Sequence, residues 1–434
     1  MARSGTAPTN GHDIRATGMP ELPPYRVLIY SHDSFGLGHL RRCWTIAHAL
    51  VTQHRKLNVL ILTGSPIIGR FSFPARVDFV RVPGIIKLGN GEYTSLNLDF
   101  QVEQTLALRA SIIEHTARVF RPHLFLVDKE PLGLLGEVRG ALAMLKRRGG
   151  CRLVLGLRDI MDDPTSLAEE WRRKRARPAL QRFYDQIWVY GVREVYDPVK
   201  AYRFPPKVAA KTLFTGYLPR ETRPETALPP EVQATIRGGD FLLVTPGGGG
   251  DGAPLIDATL AAYERFDDRL PWPALVVYGP FLSARERAGF ERRAARLPRV
   301  RTLVFHEHLE NLIEKAAGVL CLGGYNTFCE VLSLGKRSLI VPRVTPRAEQ
   351  LLRARAASRL GLAQTLHPDQ LTPEALADAL ALLPSQPPPA SDRIPGLLDG
   401  LRFIDQTVAK WRLNGHAAAR GAPRTRRAHA RLAV

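Results

Sequence analysis

From residue 25 onward the chain alternates short apolar runs with amphipathic segments, and it does so twice. Candidate strands fall at 26–31, 57–63, 77–82, 123–128, 152–157, 186–190 and 211–215, and again at 241–245, 274–279, 300–305, 318–322 and 337–342. Helical patterns separate them, in the second half near 253–265, 283–296, 309–316, 326–335 and 346–360. The clearest in the first half is 101–120, where Val102, Leu106, Ala110, Ile113, Ala117 and Phe120 recur at intervals of three and four. Such alternation predicts parallel sheets covered by helices. The expected fold is therefore α/β: two Rossmann-like, doubly wound parallel-sheet domains facing a central cleft. Sheets of this kind bind ligands at the carboxyl ends of their strands.

Punctuation sets the expected boundaries. Residues 1–24 are polar and Pro/Gly-rich and read as a disordered tail, without the apolar core of a secretory signal. Residues 25–220 form the first domain, 221–238 a Pro/Glu-rich linker and 239–385 the second domain. The segment 386–412 opens on Pro387-Pro388-Pro389, and its Leu397, Leu401, Ile404, Val408 and Trp411 predict a helix packed back on the body. Residues 413–434 read as a basic disordered tail. The stretch 84–98 breaks the rhythm and reads as a long functional loop above the first sheet.

Sixty-one Lys and Arg against 41 Asp and Glu leave a net charge of +20, which attracts polyanions without naming one. Part of it is local, in Arg172–Arg175 with Arg177, in Lys146–Arg148 with Arg152, and in the arginines after 419. No aromatics interleave with these clusters and no nucleic-acid motif is present, so a nucleic-acid partner is not expected. The four cysteines (Cys43, Cys151, Cys321, Cys329) form no CxxC pair and sit in apolar contexts, as buried reduced thiols of a cytoplasmic protein do. No run approaches about 20 apolar residues, so membrane contact would be peripheral, at the inner face.

Three strand-to-helix junctions carry the residues suited to chemistry. In the first, Ser31 to Cys43, Gly36 and Gly38 allow a sharp turn and His39 stands where a helix opens. A helix N-terminus favours the uncharged imidazole, so His39 is a candidate general base, with Asp33 a second. By itself this motif equally describes a turn whose histidine caps or packs. In the second, Gly247 to Gly250 follow the strand 241–245. Exposed N–H groups there, beside a helix N-terminus, suit a pyrophosphate, with Asp251 expected to point away from it. In the third, Gly323, Gly324, Asn326 and Thr327 precede Glu330, whose carboxylate can accept two hydrogen bonds from a ribose diol. Glu349 and Gln350 open the next helix and could bind sugar hydroxyls. The pairs Asp162-Asp163 and Asp267-Asp268 read as caps or solvated carboxylates, and nothing in these junctions requires a metal or a cofactor.

Together, in this order, the junctions resemble a GT-B glycosyltransferase. Residues from about Val300 to Leu366 are similar to the family 28 domain of the enzyme that adds N-acetylglucosamine to the lipid-linked peptidoglycan precursor. Val304–Leu309, with Phe305 and His306, matches the turn whose backbone holds uracil in that family. Gly323–Glu330 matches its glycine/Glu segment, Glu349-Gln350 its sugar-contacting pair, and Thr215–Arg220 the end of its first domain. The resemblance implies that Glu330 binds ribose and that Gly248, Gly249, Gly250 and Thr327 lie near the diphosphate. It also implies inversion at the anomeric carbon. Gly36 to Cys43 is similar to the G-x-G-H-x-x-R-C segment of the UDP-sugar hydrolase of pseudaminic acid synthesis, which shares the architecture.

The expected activity is transfer of a sugar from a nucleotide diphosphate donor, a UDP-sugar by resemblance, to a hydroxyl acceptor, without a metal. The first domain would take the acceptor and the second the donor. A lipid-linked acceptor, presented at an anionic membrane surface, is compatible with the charge. The alternative is hydrolysis of the nucleotide-sugar. The segment 159–185 departs from both families.

Overall fold

Val27, Leu28, Ile29 and Tyr30 are all at or below 1 % exposed, which requires cover on both faces of the strand they form. Helices supply that cover throughout. The structure, a computed structural model, describes residues 23–32, 38–88, 92–222, 228–237, 239–248 and 250–421.

The first lobe opens with β1 (Tyr25–Ser31), α1 (Gly38–Gln53), β2 (Leu57–Thr63) and β3 (Val77–Arg81). The hairpin β4 (Ile85–Lys87) and β5 (Tyr93–Ser95) precedes α2 (Val102–Phe120) and β6 (Leu124–Asp128). Next come α3 (Arg139–Arg148), β7 (Arg152–Arg158), α4 (Pro164–Arg173) and α5 (Ala176–Arg182). β8 (Gln186–Tyr190), two one-turn helices, α6 (Pro198–Ala201) and α7 (Pro206–Ala209), and β9 (Thr212–Phe214) complete it. The sheet runs β3-β2-β1-β6-β7-β8-β9, and every adjacent pair is parallel.

After α8 (Pro230–Arg237) the alternation restarts with β10 (Leu242–Thr245), α9 (Ala253–Phe266), β11 (Ala274–Val277) and α10 (Ala284–Ala294). It continues through β12 (Val300–Leu303), α11 (Leu309–Lys315), β13 (Gly318–Cys321) and α12 (Tyr325–Ser333). β14 (Ser338–Ile340), α13 (Glu349–Arg359), β15 (Gln364–Thr365), α14 (Pro373–Leu382) and α15 (Gly400–Gly421) end the chain. This sheet is also all parallel, in the order β12-β11-β10-β13-β14-β15. In each sheet the strand order reverses beside its first strand, between β1 and β6 and between β10 and β13. Loops diverge at such switch points and leave a crevice.

One apolar cluster runs from α1 (Ile46, Leu50) through Tyr217 and Phe328 to α15 (Ile404, Val408), so the lobes share a core. α15 returns to the first lobe, where Trp411 stacks on Trp188 with ring centroids 5.9 Å apart. Polar groups join the lobes as well. Arg353 of α13 forks onto Asp159 at 2.8 and 2.7 Å, and both side chains are fully buried. Tyr217 donates to the same carboxylate at 2.7 Å.

Several expectations change. The 84–98 stretch holds the β4–β5 hairpin and is not loop throughout. The buried stripe of α2 is Thr105, Arg109, Ile113 and Ala117, rotated from the apolar face because Arg109 is buried against Glu137 at 2.5 and 2.7 Å. The divergent 159–185 segment is α4 and α5; Asp163 caps α4 by accepting from Thr165 and Ser166, and Pro164 follows. Asp162 is buried, not solvated, and accepts from the Ala348 N–H of the other lobe at 3.0 Å. α8 occupies much of the expected linker, and α15 continues to Gly421, through the start of the expected tail. None of the four cysteines forms a disulfide; three are buried and Cys151 is half-buried. Among the described residues no helix is long and apolar enough to cross a membrane.

Candidate active site

Adjacent strands bring the first site together. β1 and β6 pair with Tyr30 beside Val127, so the helix after β1 opens next to the end of β6. His39 Nδ1 lies 2.5 Å from Asp128 Oδ2. Arg42, one turn further along α1, forks onto that carboxylate, its Nε 2.8 Å from Oδ1 and its Nη2 2.7 Å from Oδ2. Asp128 is 1 % exposed and His39 15 %. Arg42 and the imidazole hold the Asp128 carboxyl well below the usual carboxylate range, against the upward pull of burial. Burial, outweighing Asp128, lowers His39 to about 4. Arg42 Nη2 is also 2.8 Å from His39 Nδ1. A guanidinium cannot accept a proton. Nor can the ionised Asp128 carboxylate donate one, so the 2.5 Å contact puts the ring proton on Nδ1, donated to Asp128; the Arg42 approach is then not a hydrogen bond, and the Nε2 lone pair is left free. Asp128 is a residue of this site that the sequence alone did not point to; its signal was a carboxylate closing the apolar run Leu124–Val127.

The second sheet repeats the device. Thr245 of β10 sits beside Cys321 of β13, so the turns after these strands face each other. A Cβ on Gly247 would lie 3.8 Å from the Thr327 hydroxyl. Gly247 has φ +80° and Gly279 φ +86°, and a Cβ on Gly279 would meet the Gly247 carbonyl at 2.3 Å. Only glycine permits both the backbone and the contact. Gly324 precedes α12, with open space where its Cβ would be.

A cavity of about 240 Å³ lies between the two devices. Gly38, His39 and Arg42 wall it from the first lobe, and Gly248, Gly324, Asn326 and Thr327 from the second. Phe305, His306, Glu349 and Gln350 also line it. Gly247 lines it as well, and so do Gly279, Pro280, Arg158 and Arg343, which the sequence did not single out for this. Asp251 lines the cavity instead of pointing away, and Arg343 meets its charge at 2.9 Å. The same guanidinium donates to Glu349 Oε1 at 2.5 Å, and the Arg343 N–H donates to Gln350 Oε1 at 3.0 Å. Gly323 stands behind the wall: its φ is +72°, a Cβ would strike Ile340 at 2.6 Å, and its carbonyl accepts from Arg353 at 2.9 Å. Gly250 is in the short turn before α9 and not on the cavity wall. Asp33, Gly36 and Gly249 lie outside the described residues.

Glu330 is fully buried behind the wall, and burial raises its carboxyl. Arg41 Nη1 approaches its Oε1 to 3.0 Å, while Arg41 Nη2 donates to Glu310 at 3.0 Å. The approach to Glu330 is an ion contact without hydrogen-bond alignment, so both carboxylate oxygens lack a hydrogen-bond partner. Asn326 ties the lobes, donating to the Gly38 carbonyl at 3.1 Å and accepting from Arg220 at 3.0 Å. A second cavity of about 460 Å³ shares Arg41, Pro280, Phe305 and His306 with the first, and Trp44, His48 and Phe71 wall it. Among the described residues no group of three or more His, Cys, Asp or Glu side chains is placed to hold a metal ion.

Residues 248–393 match the model of the glycosyltransferase family 28 C-terminal domain. No curated protein sequence matches the chain. Among solved structures, the glycotransferase of kitacinnamycin superposes with a TM-score of 0.56 at 16 % identity, over 92 % of this chain and 100 % of its own. MurG of Acinetobacter baumannii gives 0.51 at 14 %, over 91 % and 100 %. A UDP-glucosyltransferase from Polygonum tinctorium, described as capable of glucosylating indoxyl, gives 0.57 at 14 %, over 92 % and 98 %. These likenesses establish the fold, and the hydrolase resemblance of residues 36–43 draws no support from them. Twin parallel sheets and a cleft between their switch points give this chain the GT-B fold, and across most of its second lobe it carries a glycosyltransferase family 28 C-terminal domain.

Proposed function

We propose that the chain transfers a sugar from a UDP-sugar to a hydroxyl acceptor, with His39 as general base and Asp128 as its positioning residue. The observation that carries this reading is the His39–Asp128 pair on one wall of a cavity whose opposite wall is a glycine turn and a helix N-terminus. His39 Nε2 takes the proton of the acceptor hydroxyl as its oxygen attacks the anomeric carbon. The bond from that carbon to the diphosphate oxygen breaks, and the diphosphate leaves with the electron pair. Attack opposite the leaving group inverts the carbon. Backbone N–H groups around Gly248 and the N-terminus of α12 receive the growing negative charge.

The donor would lie along the second lobe. Glu349 and Gln350 take sugar hydroxyls, and the turn at Phe305-His306 takes the base. Glu330 takes the ribose diol, whose two hydroxyls would satisfy the two oxygens now without hydrogen bonds. The Polygonum tinctorium enzyme, named a UDP-glucosyltransferase, supports uracil as the base. The exposed Lys146–Arg148 run would suit an acceptor presented on an anionic lipid surface.

Thermal unfolding of the full chain across UDP-, dTDP- and GDP-sugars tests the reading. A specific donor at 100 times its Kd stabilises by about 2.7 kcal/mol. UDP-sugars should raise Tm and Glu330→Ala should abolish the rise. No shift with any nucleotide would overturn the function. A shift that survives Glu330→Ala would overturn the ribose assignment.

A further inference from the structure

Four arginines line the reaction cavity, and three have carboxylate partners. Arg41 is held by Glu310 and Glu330, Arg42 by Asp128, and Arg343 by Asp251 and Glu349. Arg158 is different. It ends β7, where its backbone lies in the ladder beside Tyr190; among the described residues its guanidinium has no ion pair, and its Nε is buried without a hydrogen-bond partner. Glu349, the carboxylate that acts on it most strongly, gives one oxygen to Arg343 and makes no direct ion pair with Arg158; its other oxygen is buried without a hydrogen-bond partner. The other cations around it are matched, Arg353 by Asp159 and Arg347 by Glu170. Arg158 is therefore a half-buried cation whose guanidinium no carboxylate of the described residues touches, open to the space that also holds His39 and Glu349. A guanidinium does not discharge itself by losing a proton. Such a group is costly to bury unless an anion joins it.

We propose that Arg158 is the first lobe's anion-binding residue, taking an oxyanion group of the nucleotide-sugar next to the anomeric carbon. This rests on the donor orientation proposed above. Its planar fork matches two oxygens of a phosphate or a carboxylate. The group is either the distal phosphate of the leaving diphosphate or a carboxylate on the sugar, as in a uronic acid. In the first case the leaving group is clamped from both lobes, with neutral amides on one side and a formal charge on the other.

Calorimetric titration of the full chain with inorganic pyrophosphate, UDP, UDP-glucose and UDP-glucuronate separates the sources. A charge-assisted pair is worth about tenfold or more in Kd. Arg158→Gln weakening all four ligands by that factor assigns the diphosphate; weakening UDP-glucuronate alone assigns the sugar carboxylate. Arg158→Lys should recover part of the loss, since it keeps the charge and loses the fork. Ligand-free Arg158→Gln should unfold at or above the wild-type temperature, because it removes a cation that no carboxylate contacts. If its Tm falls instead, the Arg158→Lys titration decides. All four affinities staying within about twofold of wild type would overturn the proposal and leave the transferase reading in place. Arg158-dependent binding of pyrophosphate with no binding of any nucleotide-sugar would overturn the transferase reading and with it the nucleotide-sugar as the ligand of Arg158. A wild-type chain that binds none of the four overturns both.

Discussion

At the scale of single residues, His39 and Asp128 do separable jobs. The imidazole is at the cavity and partly exposed, whereas Asp128 is buried beneath it and also neutralises Arg42. His39→Gln should cost about 10²–10⁴-fold in turnover and little stability, read from initial rates and urea unfolding. Asp128→Ala should cost turnover too, and in addition about 3–5 kcal/mol, because it leaves Arg42 buried without its partner. Equal stability of the two variants would contradict this division. The pH dependence follows from the lowered His39 value. The unfolded chain's histidine takes up a proton near 6.5, and the folded one only near about 4. Stability from this group is therefore complete above pH 6.5 and declines as pH falls toward 4. His32, lowered by burial beside Lys129, acts in the same direction. The acid limb of kcat/KM should lie near pH 4, and a limb near 6.5 would contradict the desolvation of the His39 ring.

At the scale of elements, α15 shows how a terminal segment becomes structural. Ile404 and Val408 are buried at 1 % and 0 % in the cluster shared by both lobes. Ile404→Ala should cost about 2–5 kcal/mol in chemical denaturation, and a loss below 1 kcal/mol would mean that the helix docks loosely. Its apolar spacing was visible in the sequence, as were most strands, because both-face burial demands continuous apolar runs. Short elements were not. β4 and β5 have three residues each and β15 two, too few for a period to show. α14 was legible but unread: Thr372 caps it and Pro373 opens it, a recognised start signal. The face of α2 was misplaced because Arg109 counts as polar until its partner Glu137, on a different element, is known. Asp128 escaped for a related reason. A carboxylate at the end of one strand among many gains meaning only when strand order places it beside β1.

At the scale of the whole molecule, the lobes are joined by more than a linker. Asp159 and Arg353 are fully buried, come from different lobes, and are matched by Tyr217 and the Gly323 carbonyl. Such a pair contributes little net stability relative to apolar residues of similar size, but breaking it leaves one charge stranded. Its larger effect is geometric. Arg353 Nη1 holds the carbonyl of Gly323, the residue that leads into the turn before α12, so the ion pair fixes one wall of the cavity relative to the other. Arg353→Met should therefore lose about 3–5 kcal/mol, and the double change Asp159→Leu with Arg353→Met should regain most of it. Both variants should bind nucleotide more weakly, because neither keeps the inter-lobe register. X-ray scattering offers the independent readout. The wild-type radius of gyration should change little when nucleotide binds, and the double variant should contract on binding, having lost the tie that holds the lobes together without ligand. A double variant that binds nucleotide like wild type, with no ligand-dependent contraction, would show that the shared apolar core alone sets the cleft.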